Sequence, residues 1–305
     1  MNGAESLVQT FVNCGVEVCF SNPGTSEMHF VAALDRIDGI RPVLGLFEGV
    51  VTGAADGYGR MAGKPAATLL HLGAGLGNGF ANLHNARRAA TPIINVVGEH
   101  ATYHRQYDAP LASDIASVAR PNSVWMETPE EATEVAAAGA RAYAASMSAP
   151  GGIATLILPA DTAWLDADGA ADPVEIAAYS EVDGATIDKV AAALKNGKKS
   201  AILLRGRTLL ADGLELAGRI QAATGARVLC DTFTPRMQRG AGRVKIERIP
   251  YFAEQAVEHI AEVEQLILCG SQNPVAFFAY PGKESWLTPP DAETLVLARP
   301  EEDSL

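Results

Sequence analysis

The sequence predicts an α/β protein built from two parallel-sheet domains. Three observations support this fold class. Short apolar runs of strand length recur along the chain, segments with helical spacing separate them, and 305 residues at roughly 150 per domain favour two domains. Apolar strands that alternate with helices are typical of a parallel sheet covered on both faces. We therefore expect two Rossmann-like units in succession.

The element pattern divides the chain into 1–165, a linker at 166–184 and a second unit at 185–305. The linker is acidic and rich in small residues, unlike the apolar runs on either side of it. Residues 48–61 have helical spacing despite four glycines, which predicts close packing against another element. The strand candidates are 16–20, 42–46, 66–71, 93–98, 152–158, 200–204, 227–230, 265–269 and 294–298.

Composition excludes several classes of function. The formal net charge of -12 argues against nucleic acid as a partner and gives no long-range attraction to an anionic membrane. No apolar run approaches the roughly 20 residues of a membrane span, and the N-terminus lacks the features of a secretory signal. These absences predict a cytoplasmic protein. The four cysteines lack zinc-type spacing, so we expect buried, reduced thiols and no metal site.

Glu48 is the first candidate for chemistry. It stands alone between apolar neighbours at the junction of a predicted strand and helix. Burial without a partner raises the pKa of a carboxyl group, which suits proton exchange with a ligand. The alternative is a glutamate that stabilises the first turn of the helix through the helix dipole.

Two further candidates follow predicted strands. The loop Asn22-Pro23-Gly24-Thr25 comes after the first strand, at the edge where open α/β sheets bind ligands, although a plain turn and helix cap explains it equally well. His71 ends a buried strand and precedes a glycine-rich turn that contains Gly77 and Asn78. It is either a proton-exchanging ring or a structural histidine. The glycine spacing is a poor match to a dinucleotide-binding fingerprint.

The polar and aromatic segment 99–108 follows the strand at 93–98. It holds two histidines, two tyrosines and an arginine, and no pair in it has a convincing metal-ligand spacing. A solvated loop is the simplest interpretation.

The run from Phe47 to Arg60, FEGVVTGAADGYGR, resembles the N-terminal pyrimidine-binding domain of thiamine-diphosphate-dependent enzymes of the acetolactate synthase and benzoylformate decarboxylase type. The family pattern is a glutamate followed by a small-residue helix that ends Ala-Asp-Gly-Tyr-Ala-Arg, and only Gly59 departs from it. Shorter matches are SNPG at 21–24, GNG at 77–79, TPII at 91–94 and LILPAD at 156–161. The similarity is specific over 1–165 and weaker over the central domain.

The resemblance implies roles for individual residues. The glutamate matched by Glu48 hydrogen-bonds the aminopyrimidine of the cofactor and so activates it, which makes Glu48 and His71 the expected catalytic residues. His71 matches benzoylformate decarboxylases, whereas the central domain is nearer to acetolactate synthases, so both activities on 2-oxo acids stay open. The expected cofactor-binding residues are Asn22, Pro23, Gly24, Thr25, Glu48, Gly77 and Asn78.

The family binds Mg²⁺ and the diphosphate with a third domain that carries Gly-Asp-Gly and Asn-Asn. Neither motif occurs in these 305 residues, so we expect that domain to be absent and the chain alone to be inactive. A gene fragment, a shortened form and a split subunit are three explanations. The expected partners are a further copy of the chain or a separate diphosphate-binding chain. The resemblance to acetolactate synthases makes FAD a possible cofactor of the central domain, but not an expected one, because the second unit lacks a clean nucleotide-binding glycine motif.

Two other classes of function remain open from the sequence. A non-catalytic scaffold could keep the fold without the chemistry, and a nucleotide-binding oxidoreductase could use the two α/β units, because fold alone does not separate these functions.

Overall fold

The computed structural model describes all 305 residues, which divide into two compact units, Met1–Ala178 and Tyr179–Leu305. Each unit is a parallel β-sheet flanked by helices, so the predicted fold class is confirmed. The boundary between the units falls inside the predicted linker segment, 166–184. No helix is long and apolar enough to cross a membrane.

The first unit contains six strands and seven helices. The strands are β1 Val18–Asn22, β2 Arg41–Leu44, β3 Ala66–Leu70, β4 Ile93–Glu99, β5 Trp125–Glu127 and β6 Ile153–Pro159. The helices are α1 Gly3–Asn13, α2 Met28–Arg36, α3 Glu48–Ala62, α4 Leu72–Arg88, α5 Ile115–Ala119, α6 Val135–Met147 and α7 Ala160–Trp164.

The six-stranded sheet has the order β2-β1-β3-β4-β6-β5, and every pair in it is parallel. The chain leaves β1 toward β2 on one side and returns to β3 on the other side. The carboxyl ends of β1 and β3 therefore border the crevice where open α/β sheets bind ligands. Two apolar cores, one on each face, bury the sheet and hold these strand ends in place.

Helices α3 and α4 pack closely, as the glycines at 48–61 predicted. The Thr52 hydroxyl donates to the carbonyl of Gly79 at 3.1 Å, and the Asn82 side chain donates to the carbonyl of Gly49 at 2.6 Å. A side chain can hydrogen-bond to the backbone of a neighbouring helix only when the two helices lie close together. The glycines after His71 lie inside α4, so the glycine-rich turn expected there is helical instead.

A chain of buried polar side chains crosses the middle of this sheet. The Thr68 hydroxyl donates to Asn95 at 2.8 Å, Asn95 donates to Thr155 at 3.2 Å, and Ser123 shares a 2.8 Å hydrogen bond with Thr155. Thr68, Asn95 and Thr155 are almost wholly buried, and each satisfies its neighbour. The chain fixes the register of β3, β4 and β6 within an otherwise apolar sheet.

The second unit contains five strands and three helices. The strands are β7 Ser200–Leu204, β8 Arg227–Cys230, β9 Glu247–Arg248, β10 Gln265–Cys269 and β11 Glu293–Ala298, and the helices are α8 Gly184–Ala193, α9 Ala211–Thr224 and α10 Ala253–Ile260. The strands form a parallel sheet with the order β11-β10-β7-β8-β9. The helices again cover both faces, with an apolar core on each side. The sequence did not predict β9, which has only two residues.

Candidate functional site

The predicted site residues lie around the carboxyl ends of β1 and β3. Asn22 is the last residue of β1, and its side-chain amide donates to the carbonyl of Gly45 at 3.0 Å. Gly45 follows β2 and leads into α3. This hydrogen bond ties the end of β1 to the segment that brings Glu48 to the first position of α3. The sequence placed Asn22 in a turn, whereas the strand continues through it.

Glu48 is buried at the start of α3, with 8% of its surface exposed. Its apolar neighbours do not cause this burial, because Leu46 is 90% exposed and Phe47 and Val50 are also open to solvent. The residue is covered from α4 instead. Burial of Glu48 agrees with the sequence analysis, but the expected reason, apolar flanks folded over the carboxyl group, is wrong.

The two carboxylate oxygens of Glu48 have different surroundings. Oε2 accepts a hydrogen bond from the side-chain amide of Asn78 at 2.9 Å. Oε1 faces Gly75, and a methyl group at that position would come within 2.8 Å of it. The carboxylate is therefore held in place by Asn78 on one side. On the other side, Gly75 has no side chain, and Oε1 occupies the space that a side chain would fill.

His71 is the N-cap residue of α4, directly after β3. Its ring Nδ1 lies 2.8 Å from Oε2 of Glu27, which is 3% exposed. The same oxygen accepts the N–H of Gly24 at 2.7 Å. A glutamate carboxylate only accepts hydrogen bonds, so His71 donates to it from Nδ1. This arrangement fixes both the tautomer and the orientation of the ring.

Two glycines make room for this pair. A methyl group at Gly24 would overlap the imidazole of His71, and one at Gly98, near the end of β4, would overlap Oε1 of Glu27. Oε1 of Glu27 is buried and has no hydrogen-bond partner in the protein. Such an unsatisfied buried oxygen is costly in a folded protein and is characteristic of functional sites and of places where water or a ligand binds.

The Glu48 group and the His71 group meet in the first turn of α4. The N–H of Gly75 donates to the carbonyl of His71 at 2.7 Å, and Gly75 faces Oε1 of Glu48. One helical turn therefore joins the histidine to the neighbourhood of the buried carboxylate. A ligand at the ends of β1 and β3 would meet one carboxylate and one imidazole, each held by its own partner.

Comparison with known protein families agrees with this geometry. Residues 1–118 match the family model described as thiamine pyrophosphate enzyme, N-terminal TPP binding domain. This part of the chain is therefore similar to the N-terminal domain of the thiamine pyrophosphate enzymes. All the residues predicted for the site lie within the matched range, so the resemblance drawn from the sequence is confirmed at the level of the family.

Two curated relatives extend the comparison beyond residue 118. One is the "Putative acetolactate synthase large subunit IlvX" of Mycobacterium tuberculosis, 54% identical over 301 residues, which are 98% of this chain and 58% of the relative. The other is a benzoylformate decarboxylase of Pseudomonas aeruginosa, 32% identical over 186 residues, which are 61% of this chain and 34% of that enzyme. The chain thus spans little more than half of the length of the first relative and about a third of the second.

A solved structure shares the fold of both units. The benzoylformate decarboxylase of Polynucleobacter necessarius matches with a TM-score of 0.83 and 22% identity, over 97% of this chain and 55% of that structure. At this level of identity the match shows the fold alone. The fold of both units therefore recurs in a benzoylformate decarboxylase of known structure.

Not every residue predicted for cofactor binding enters the hydrogen-bonded groups. Asn22, Gly24, Glu48 and Asn78 make the contacts described above. Pro23, Thr25 and Gly77 do not. Thr25 is exposed in a short 3-10 turn, and Gly77 is exposed on α4 with open space beside it.

The sequence analysis missed Glu27 as a site residue. The available signal was its position three residues after Gly24, which has capping-box character, and the structure confirms that Glu27 bonds the N–H of Gly24. Nothing local indicated that the same carboxylate would reach His71, 44 residues further along the chain. That contact exists because β1 and β3 are neighbours in the sheet.

Proposed function

We propose that this chain supplies the aminopyrimidine-binding part of a thiamine-diphosphate-dependent enzyme that acts on 2-oxo acids, of the acetolactate synthase type. The observation that carries the proposal is the buried carboxylate of Glu48, whose Oε2 is held by Asn78 and whose Oε1 packs against Gly75 and has no hydrogen bond from the protein. A carboxyl group shielded from water and fixed in this way suits a hydrogen bond to a ring nitrogen of a bound heterocycle.

The residues present fit the pyrimidine half of this cofactor. Glu48 would hold the ring nitrogen, Gly75 allows the carboxylate to pack against α4, and Asn22 with Gly24 forms the adjoining strand end. When bound, the cofactor supplies the carbanion chemistry that amino-acid side chains lack. The protein's own contribution is to orient the ring and to hold a proton at the Glu48 carboxyl.

The diphosphate and Mg²⁺ contacts belong elsewhere in this proposal. In the family these contacts come from Gly-Asp-Gly and Asn-Asn motifs, which the 305 residues do not contain. We place them on residues outside this sequence, in the same chain or in a second one. The exposed apolar residues beside Glu48, which include Leu46 and Val50, suit coverage by such a surface.

A benzoylformate decarboxylase-like activity is the second candidate. The observation that favours it is the 2.8 Å contact between His71 and Glu27, which presents an imidazole of fixed tautomer at the same strand end. A fixed imidazole near the reacting carbon can deliver or remove a proton during decarboxylation. Product analysis of the assembled enzyme distinguishes the two candidates, because carboligation joins two 2-oxo acid molecules and simple decarboxylation releases an aldehyde.

Binding of thiamine and of thiamine diphosphate to the purified chain, measured by isothermal titration calorimetry, tests the main proposal. We expect weak, saturable binding of both ligands, with similar affinities, because the diphosphate adds no contact here. Glu48→Gln should weaken this binding at least about tenfold, which corresponds to about 1.4 kcal/mol. The matched control is Glu215→Gln, which removes the same charge from an exposed glutamate in the first part of α9.

Two results contradict the proposal. Equal thiamine affinity in the wild-type chain and in Glu48→Gln would show that Glu48 does not contribute to binding. Micromolar affinity for thiamine diphosphate, much tighter than for thiamine, would show that the diphosphate contacts lie within these 305 residues.

A further inference from the structure

The loop that follows β4 contains buried hydrogen-bond donors that no protein atom accepts. Nη1 of Arg105 donates to both carboxylate oxygens of Glu130, at 3.0 and 3.1 Å. Nε and Nη2 of the same guanidinium are buried and have no partner, and Nε2 of His100, in the same loop, is also buried without one. Half of the guanidinium is therefore neutralised by Glu130, while its other edge is shielded from water and unsatisfied.

The unsatisfied edge of Arg105 has a specific geometry. The Nε–H and Nη2–H bonds of a guanidinium are parallel and form a fork that matches two oxygens of one carboxylate or phosphate. Buried donors of this kind are rare in folded proteins, because each loses its hydrogen bond to water and gains nothing in return. A bound oxyanion would satisfy both nitrogens at once.

The loop is held by residues that follow two neighbouring strands. Thr102 donates from its backbone N–H and from its hydroxyl to the two oxygens of Asp161, which lies two residues beyond the end of β6. Arg105 is tied to Glu130, three residues beyond the end of β5. Because β6 and β5 are adjacent and parallel, the loop lies across their carboxyl ends, the edge at which α/β sheets bind ligands.

Aromatic packing stiffens the loop between these points. The rings of His100 and His104 have centroids 5.5 Å apart, and those of His104 and Tyr107 are 5.7 Å apart. A site whose side chains are already packed loses little entropy when a ligand binds.

We propose that this loop binds a small anion with paired oxygens, a carboxylate or a phosphate, on the Nε–Nη2 edge of Arg105. The chain has a net charge of -12, so an anion is not attracted at long range and must be recruited by local donors. Arg105 supplies two such donors in one plane, and His100 supplies a third polar atom in the same loop. The site involves neither Glu48 nor His71, and it stands whether or not the proposed function is correct.

Titration of the full chain with sodium acetate and with inorganic phosphate, at constant ionic strength balanced with chloride, tests this proposal. Heteronuclear NMR of the arginine Nε–H groups reports on the site directly. We expect a saturable shift of the Arg105 Nε–H resonance, with a dissociation constant of about 1 mM or tighter for at least one of the two anions. Saturation by acetate alone identifies a carboxylate site, and saturation by phosphate alone identifies a phosphate site.

Three variants separate anion binding from structural support. Arg105→Lys keeps the charge and loses the fork, so binding should weaken at least about fivefold even though the fold is retained. Glu130→Gln removes the competing carboxylate from Nη1, so binding should strengthen several-fold. The control, Arg120→Lys, alters an exposed arginine just beyond α5 and should change the affinity less than about twofold.

The proposal is overturned if neither anion produces a saturable shift in the wild-type chain. It is also overturned if Arg105→Lys binds as tightly as the wild type, or if Glu130→Gln weakens binding. In each of these cases the fork of Arg105 does not hold an anion.

Discussion

Oε2 of Glu27 lies 2.8 Å from Nδ1 of His71 and also accepts the backbone N–H of Gly24. A single buried oxygen therefore holds the imidazole after β3 and the loop after β1 in one arrangement. Because Glu27 is buried and shielded from water, both donors depend on this oxygen. Glu27 is thus a positioning residue for whatever His71 does.

Replacement of Glu27 by alanine should release the His71 ring. In the wild-type chain the Nδ1–H of His71 is bonded to a buried oxygen, so its NMR signal should exchange slowly with water. In Glu27→Ala that signal should disappear through exchange, and the free energy of unfolding should fall by about 1–3 kcal/mol because the Gly24 N–H loses its acceptor. Glu17→Ala, at an exposed residue, is the control. A persistent His71 Nδ1–H signal in Glu27→Ala would show that Glu27 does not hold the ring, and the absence of this signal in the wild type would contradict the assigned tautomer.

Two glycine substitutions should have opposite effects on stability. Gly98→Ala places a methyl group against Oε1 of Glu27, and overpacking of this kind costs about 1–3 kcal/mol. Gly57→Ala adds a methyl group to α3 where nothing lies within 4 Å, so it should stabilise the protein by about 0.5–1 kcal/mol through helix propensity. Urea unfolding curves measure both changes. Similar stability of Gly98→Ala and wild type would mean that Glu27 moves freely.

The cysteine thiols should be inert in the native protein. All four cysteines are free and buried, as the sequence predicted, and burial raises the pKa of the Cys19 and Cys269 thiols to about 12. Only the thiolate reacts with alkylating reagents, so at pH 8 these two residues should be modified only after unfolding. Mass spectrometry after iodoacetamide treatment, with and without urea, checks this. Rapid native modification of Cys19 would show that the core around β1 opens readily.

The ion pair between Arg227 and Glu247 should stabilise the second unit at neutral pH and lose this effect in acid. The hydrogen bond from Arg227 lowers the pKa of Glu247 below its ordinary value of 4.5. A carboxyl group with a lowered pKa in the folded state stabilises the protein above its unfolded pKa, and this contribution is lost as the pH falls through the folded pKa. Glu247→Gln should therefore be less stable than wild type at pH 7.

This difference should begin to shrink below about pH 4.5 and disappear as the pH falls through the lower folded-state pKa of Glu247, because the glutamate is then as neutral as the glutamine. Urea unfolding followed at pH 7 and near pH 3 measures it, with Glu215→Gln as a control for loss of an exposed charge. The same difference between Glu247→Gln and wild type at both pH values would show that the ion pair contributes nothing.

Local sequence patterns were sufficient for most of the fold. Apolar runs such as 66–71 and 265–269 could only be buried strands, and the glycines of α3 correctly predicted a closely packed helix pair. The short elements were missed because three residues in β5 and two in β9 carry too little periodicity to detect. These strands form because the neighbouring strands β6 and β8 offer hydrogen-bonding edges to them.

Glu48 and His71 were recognisable from their positions after predicted strands and from the family pattern around them. Their hydrogen-bond partners could not be recognised from the sequence. Asn78 reaches Glu48 from a different helix, and Glu27 reaches His71 from a different strand end, across 30 and 44 residues of sequence. The cause of the burial of Glu48 was also misjudged, because its apolar neighbours turn outward while α4 covers the carboxyl group.

By itself, the sequence determined the alternation of strands and helices, the division into two units and the residue types available at each strand end. These properties depend on side-chain size, polarity and spacing along the chain. Only the tertiary structure decided which donors and acceptors meet, since hydrogen bonds require approach within about 3 Å and strand order sets that approach. The neighbouring positions of β1 and β3 turned Glu27 from a helix-capping residue into the residue that holds His71.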